Sequence, residues 1–254
     1  MPSPRESPTP AVDDEVVVCG FVPFGDNDAI VRCFARHAGR VGAFARGARA
    51  SKRRFPGLTV PALGRASWRP RRGSDLLELC ALDVDTRLAD VGRDLRGWAF
   101  CGYVVELIER CLPDGAVQPE LFAVVVDTLA VLARPVEGRA RALRAFELQL
   151  LATLGVLPDL TDVADDPGLP CVAYDSAAGH LLGHAAPGAV AFTDPARQAA
   201  LALLGGGADD ALRLPIDEPL LREVSVLFSS WLRRQGIELR SLDVLRSVRA
   251  SVDL

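Results

Sequence analysis

The sequence predicts an α+β protein: a five-stranded barrel of the OB type in the N-terminal third, followed by an α-helical domain. Two observations carry this. Up to about residue 85, β-branched and apolar residues fall in five short runs with period two, separated by turn residues. From Asp85 onward the apolar period lengthens to 3.6. A third observation concerns charge rather than fold. Residues 40–72 hold ten Lys or Arg and no Asp or Glu, in a chain whose formal net charge is −4.

The elements follow in order. Val16–Phe24 is β-branched and breaks at the turn cluster Gly25-Asp26-Asn27-Asp28. Ala29–Ala35 is the second strand, and His37-Ala38-Gly39 turns into the third, Arg40–Arg46. Strand geometry puts Arg40, Gly42, Phe44 and Arg46 on one face and Val41, Ala43 and Ala45 on the other. Which face meets the barrel interior is open: Phe44 either lies between two guanidiniums as a stacking platform or points into the core. Gly47–Gly57 has no apolar period and reads as a loop; Thr59–Arg69 and Leu76–Asp83 complete the barrel.

In the second region Trp98–Leu112 is apolar almost all round, with Gly102, Glu106, Glu109 and Arg110 as a narrow polar stripe. Pro119 opens a helix that Pro135 stops, and Arg139–Leu154 ends before Gly155. Asp159–Thr193 is the least regular stretch. Asp194-Pro195 starts a short helix, and Asp217 caps a last one that Gly236 closes.

Composition sets bounds. With 49% hydrophobic and 24% charged residues the chain can bury a core of ordinary size. Residues 1–14 are expected to be a disordered leader, since their four prolines and polar balance include no apolar signal region. No run approaches the ~18 apolar residues of a membrane span. The six cysteines form no CxxC pair and sit in apolar segments, as free thiols do in a reducing cytosol. A cytoplasmic protein without a membrane association is expected.

The positive stretch is the functional signal. Concentrating like charge costs self-repulsion that a polyanion relieves, and aromatic residues among the arginines suit nucleic acid. The candidate contacts are Arg40, Phe44, Arg46, Arg49, Lys52, Arg53, Arg54, Arg69, Arg71 and Arg72. No phosphate-binding loop, HExxH or GxSxG motif is present, so no catalytic residue and no cofactor is expected. Asp83, Asp85, Asp90 and Asp94 could in principle hold metals for a nuclease, but a helix start explains them better. Cys171, His180 and His184 lack the tight knuckle of a structural zinc site, so no metal is assigned.

These residues resemble the bacterial recombination mediator family RecO. Gly25 and Asp28 match its first turn, and Gly39, Ala45, Arg46, Gly47, Arg49, Arg54 and Phe55 match its basic motif. Tyr103, Glu106, Leu107, Pro113, Pro119, Leu121 and Phe122 are similar to its helical signature, as are Phe146, Glu147, Leu150, Leu151, Gly155 and Pro158. The resemblance implies a barrel over 15–85 and a helical domain over 86–254. It also implies a zinc-ribbon insertion, here over 158–193. The ribbon's two cysteine pairs are missing, so a degenerate, cysteine-poor insertion is expected.

For function the resemblance implies a non-enzymatic protein of DNA repair and recombination. Such a protein binds single- and double-stranded DNA and anneals complementary strands. It would engage the C-terminal tail of single-stranded DNA-binding protein and, with RecR, help load RecA, near the nucleoid. Arg139, Arg141 and Arg144 are the candidates for the acidic tail. The alternative is a protein-interaction scaffold whose basic barrel binds acidic protein tails rather than DNA.

Overall fold

The structure is a computed structural model that describes residues 10–51, 53–55, 59–89, 91–163 and 169–250. Five strands close a barrel in the order β1-β2-β3-β5-β4. They are β1 (Val12–Phe24), β2 (Asp28–Ala35), β3 (Gly39–Ala45), β4 (Ala62–Pro70) and β5 (Leu77–Val84). All five lie where the period-two runs place them. β1 starts at Val12, earlier than its β-branched run, because Val12–Glu15 pair with Trp68–Arg65 of β4. That pairing takes residues 12–14 into the sheet and so corrects the expected leader at its C-terminal end; residues 1–9 lie outside the described residues. Asp14 is 5% exposed, and its carboxylate accepts from the N–H groups of His37 and Ala38 in the β2–β3 turn.

The barrel interior is filled by alternate residues, Val16 and Val18, Val31 and Cys33, Ala43 and Ala45, Ala66 and Trp68, and by Leu79 and Leu82 on either side of a register shift in β5. Closure is economical. The parallel seam between β3 and β5 consists of Ala43↔Leu77 and Phe44↔Glu78. Further along, the Leu82 N–H donates to the Arg54 carbonyl at 3.1 Å. The loop that leaves β3 thus completes the wall that the strands leave short.

Two compact units divide the chain: residues 1–90 with 101–122, and residues 91–100 with 123–254. In the first, the second half of α1 (Leu95–Cys111) and the segment to Phe122 cover one end of the outer face of β2 and β3. Phe34 is fully buried with its ring 5.7 Å from that of Phe122. Arg32 Nε lies 2.6 Å from Glu109 Oε1. Gly39 is required here: it has φ +71°, and a Cβ would sit 2.4 Å from the Ala116 carbonyl oxygen.

The second unit is helical. α3 (Arg139–Thr153) packs against α4 (Asp194–Leu204), α5 (Ala208–Arg213) and α6 (Glu218–Gln235). α2 (Pro119–Leu132) begins at the expected proline, and α7 (Ser241–Ala250) ends the described chain. Asp217 caps α6 by accepting from the Leu220 N–H at 3.0 Å, and Gly236 closes it with φ 64°. Neither α5 nor α7 is apparent from apolar spacing alone. The irregular stretch contains β6 (Ala173–Asp175), β7 (His180–Leu182) and β8 (Val190–Ala191), a small sheet in the order β7-β6-β8. No helix among the described residues is long and apolar enough to cross a membrane.

Candidate nucleic-acid interface

The outer face of β1, β2 and β3 has a covered end and an open one. Register places Val22 opposite Ile30, and Ile30 opposite Phe44, in one row across the three strands at the open end. Phe44 therefore faces outward, away from the core-facing Ala43 and Ala45. It is nonetheless only 5% exposed. The Arg71 guanidinium lies 4.3 Å from its ring centroid, and the Phe24 ring meets it edge-on at 5.6 Å. The face assignment that would allow stacking is met, but a ring only 5% exposed, with Arg71 and Phe24 against it, offers no open face for the stacking role expected of Phe44. Phe55 and Trp68, also in the positive stretch, are core residues.

The basic loop is exposed but not loose. Gly47, with φ +67°, turns the chain out of β3 and donates its N–H to Asp28 Oδ1 at 2.7 Å. Ala48 and Phe55 are buried in the barrel core and pin both ends. Between them, the Arg49 N–H donates to the Asn27 carbonyl at 3.0 Å and its Nη1 to the Asp26 carbonyl at 3.2 Å. Arg54 Nη2 donates to the Arg46 carbonyl at 2.8 Å, with its guanidinium over the Phe55 ring. Arg46, Arg49, Arg53 and Arg54 are exposed, and with Arg71 they form no ion pair with a carboxylate among the described residues. Lys52 lies outside the described residues.

Two of the expected cations are used internally. Arg40 binds Asp114 Oδ1 at 2.8 Å and donates to the Glu109 carbonyl, at the covered end. It sits there because Arg40 pairs with Phe34 across β2 and β3 on the outer face, at the end covered by α1 and residues 113–122. Arg69 binds Glu78 Oε2 at 2.9 Å. That hydrogen bond, with the charges of Arg69, Arg46 and Arg71, holds the Glu78 carboxyl below its ordinary value against the opposing effect of burial. Glu78 is thus a carboxylate that sits within reach of three guanidiniums of this cationic cluster. Arg72 is exposed beside Arg71 in the β4–β5 turn.

The arginines of α3 behave differently. Arg139 pairs with Asp94 and lies over the Phe100 ring; Arg141 donates to the Leu214 carbonyl; Arg144 pairs with Glu147, which is 1% exposed. The expected tail-binding face is spent on holding the second unit together. Asp94 keeps a carboxyl below its ordinary value: burial raises it, and Arg139 with the N–H groups of Arg96 and Gly97 outweighs that. Asp85 likewise caps a 3-10 turn through the Arg87 N–H. Both carboxylates serve local structure, and Asp90 lies outside the described residues.

The residues of the small sheet do not fit zinc. The Cys171 thiol donates to the Phe192 carbonyl at 3.0 Å, and burial pushes its pKa up, whereas zinc takes a thiolate. No group of three or more His, Cys, Asp or Glu gathers among the described residues.

Sequence reading missed the exposed apolar end of the first hairpin. Phe21, Val22 and Phe24 are 41%, 47% and 55% exposed. The signal was present in the same alternation that located Phe44, read one strand earlier and across the β-bulge between Val18 and Gly20.

Comparison with known proteins agrees with this architecture. The profile described as "Recombination protein O N terminal" matches residues 11–84, and "Recombination protein O C terminal" matches residues 92–243. The "DNA repair protein RecO" of Anaeromyxobacter dehalogenans (strain 2CP-C) is 38% identical over 227 residues, 85% of this chain and 88% of that protein. That of Anaeromyxobacter sp. (strain K) is 39% identical over 211 residues, covering 80% of this chain and 82% of the relative. That of Pelobacter propionicus is 30% identical over 243 residues, with 92% and 96% covered. With both domain profiles matched in order and relatives aligned over most of their length, the chain belongs to the RecO family of DNA repair and recombination proteins.

Proposed function

We propose that the chain is a DNA-binding recombination mediator that acts without catalysis, gripping phosphates with the loop that follows β3. The observation that carries this is the group of exposed guanidiniums of Arg46, Arg49, Arg53 and Arg54, none in an ion pair with a carboxylate among the described residues, in a loop whose Ala48 and Phe55 are buried in the barrel core. Arg49 and Arg54, already hydrogen-bonded to backbone carbonyls, lose less entropy when they take an anion, and neutralising two strands at one surface lowers the barrier to pairing them. Binding of single- and double-stranded DNA, annealing, and cooperation with RecR in loading RecA at gaps coated by single-stranded DNA-binding protein follow from the family as parts of this reading. The α3 arginines are not part of it, and neither is Arg40.

A salt titration tests it. With four to six cations engaged, log K against log salt for a single strand falls with a slope of roughly −3 to −4. Replacing Arg53 and Arg54 by Ala flattens the slope by about one unit and weakens all sequences alike. A double variant that keeps both affinity and slope removes the loop from the DNA site.

A further inference from the structure

The phosphate grip just proposed would serve double- and single-stranded DNA alike. We propose that Phe24 adds a base-stacking platform beside it, making the open end of the barrel face a site for the unpaired bases of a single strand. This inference rests on the phosphate-binding role of the basic loop.

The geometry is specific. Phe24 ends β1 and is 55% exposed, although its ring is fixed edge-on against the buried Phe44. Phe44 in turn carries the Arg71 guanidinium 4.3 Å from its ring centroid. An exposed aromatic side chain resting on a buried one is already ordered, so little rotamer entropy remains to be lost when a flat ligand covers it. Val22, 47% exposed in the adjoining row, extends the apolar surface.

Charge identifies the occupant. The turn after Phe24 is the place where the basic loop docks: Asp26 and Asn27 accept from Arg49 through their carbonyls. Asp28 accepts from the Gly47 N–H, so its carboxylate faces the loop backbone. A guanidinium is therefore anchored two residues along the chain from the exposed ring, and a second stands over the ring's support. A ligand that alternates an anion with a flat apolar face at short intervals meets both. Single-stranded nucleic acid is such a ligand, whereas a duplex stacks its bases on one another and presents only the phosphates.

The test compares an oligothymidine with an abasic oligomer of the same length, which has the same backbone charge and no bases. The full chain should bind the oligothymidine about 5- to 150-fold more tightly, the range for one stacked base. Phe24→Leu, which keeps an apolar contact on Phe44 but loses the π-face, should bind both oligomers with the abasic affinity and an unchanged salt slope. Phe24→Trp should restore the preference. If the wild type binds both oligomers equally with a steep salt slope, the inference is overturned while the phosphate grip stands. Retained discrimination in Phe24→Leu also overturns it. Absence of binding to either oligomer overturns it together with the reading beneath it. Should bases make no difference and an acidic peptide carrying aromatic residues bind instead, the patch is a protein-docking surface, and the inference is again overturned.

Discussion

The barrel loop and helix α3 both begin with arginines spaced a few residues apart, yet these have opposite fates. On α3, each guanidinium finds an oxygen in its own unit: Asp94 for Arg139, the Leu214 carbonyl for Arg141, Glu147 for Arg144. In the loop, Arg49 and Arg54 donate to backbone carbonyls, and Arg54 also lies over the Phe55 ring. None of Arg46, Arg49, Arg53 and Arg54 forms an ion pair with a carboxylate among the described residues, and no acid lies within residues 40–72. Arginine clusters are therefore poor guides to binding unless the nearby carboxylates are counted too. The helix offers an acid three residues on, and the loop offers none. The first set stabilises a fold; the second is the set to which the proposed reading gives a partner.

The comparison breaks most visibly at Arg144. Removing it strips a buried carboxylate of its guanidinium, so Arg144→Ala should cost about 3 kcal/mol of stability, read by denaturant unfolding. DNA affinity should not change; a loss at native temperature would mean that the α3 arginines share the binding role. Phe44→Ala comes next. Its site can open to solvent, which limits the cavity, so about 2 kcal/mol is expected, below the usual range for a buried Phe. Its DNA affinity should also fall, because Phe24 and Arg71 lose their common support. Unchanged stability would show that Phe44 is not the packed residue its 5% exposure indicates.

A finer probe is Glu78, which competes for Arg69, Arg46 and Arg71. Glu78→Gln should tighten DNA binding by roughly two- to fivefold and steepen the salt slope by about 0.7 for each further phosphate contacted. Unaltered affinity would place Arg69 outside the interface. The smallest effect is on acid stability. Because the folded-state value of Glu78 is lowered, the stability it contributes is present above the ordinary glutamate pKa and is lost as pH falls through the folded value. The wild type should exceed Glu78→Gln in melting temperature at neutral pH, and that difference should shrink on acidification. Partial exposure of both side chains keeps the difference small.

Much of the fold was legible because periodicity reports burial directly. Val31, Cys33 and Ala35 alternate with Arg32, Phe34 and Arg36, and the barrel follows. Caps were legible where chemistry is local, as with Asp217 and Gly236. What resisted reading was tertiary. Nothing in residues 113–122 announces that they will cover Arg40 and Phe34. Ala48 and Phe55 look like loop residues until the barrel closes around them. The short strands β6, β7 and β8 lie in a segment whose Gly, Pro and Asp content masks any alternation. In the candidate site, the cations of the loop were apparent from composition, but the identity of the open aromatic ring depended on which neighbours covered it.

The seam between β3 and β5 has a consequence for the timing of motion. Two residue pairs are a short zipper, and the Arg54 carbonyl receiving the Leu82 N–H acts as its clasp. The segment that would hold DNA is thus also the segment whose release would let the barrel breathe. Any anion that immobilises Arg53 and Arg54 fastens this clasp, and by linkage the closed barrel gains whatever free energy the anion spends on the loop. Amide exchange at Leu82 would then report ligand occupancy from inside the wall, with the protein's own hydrogen bond as the sensor.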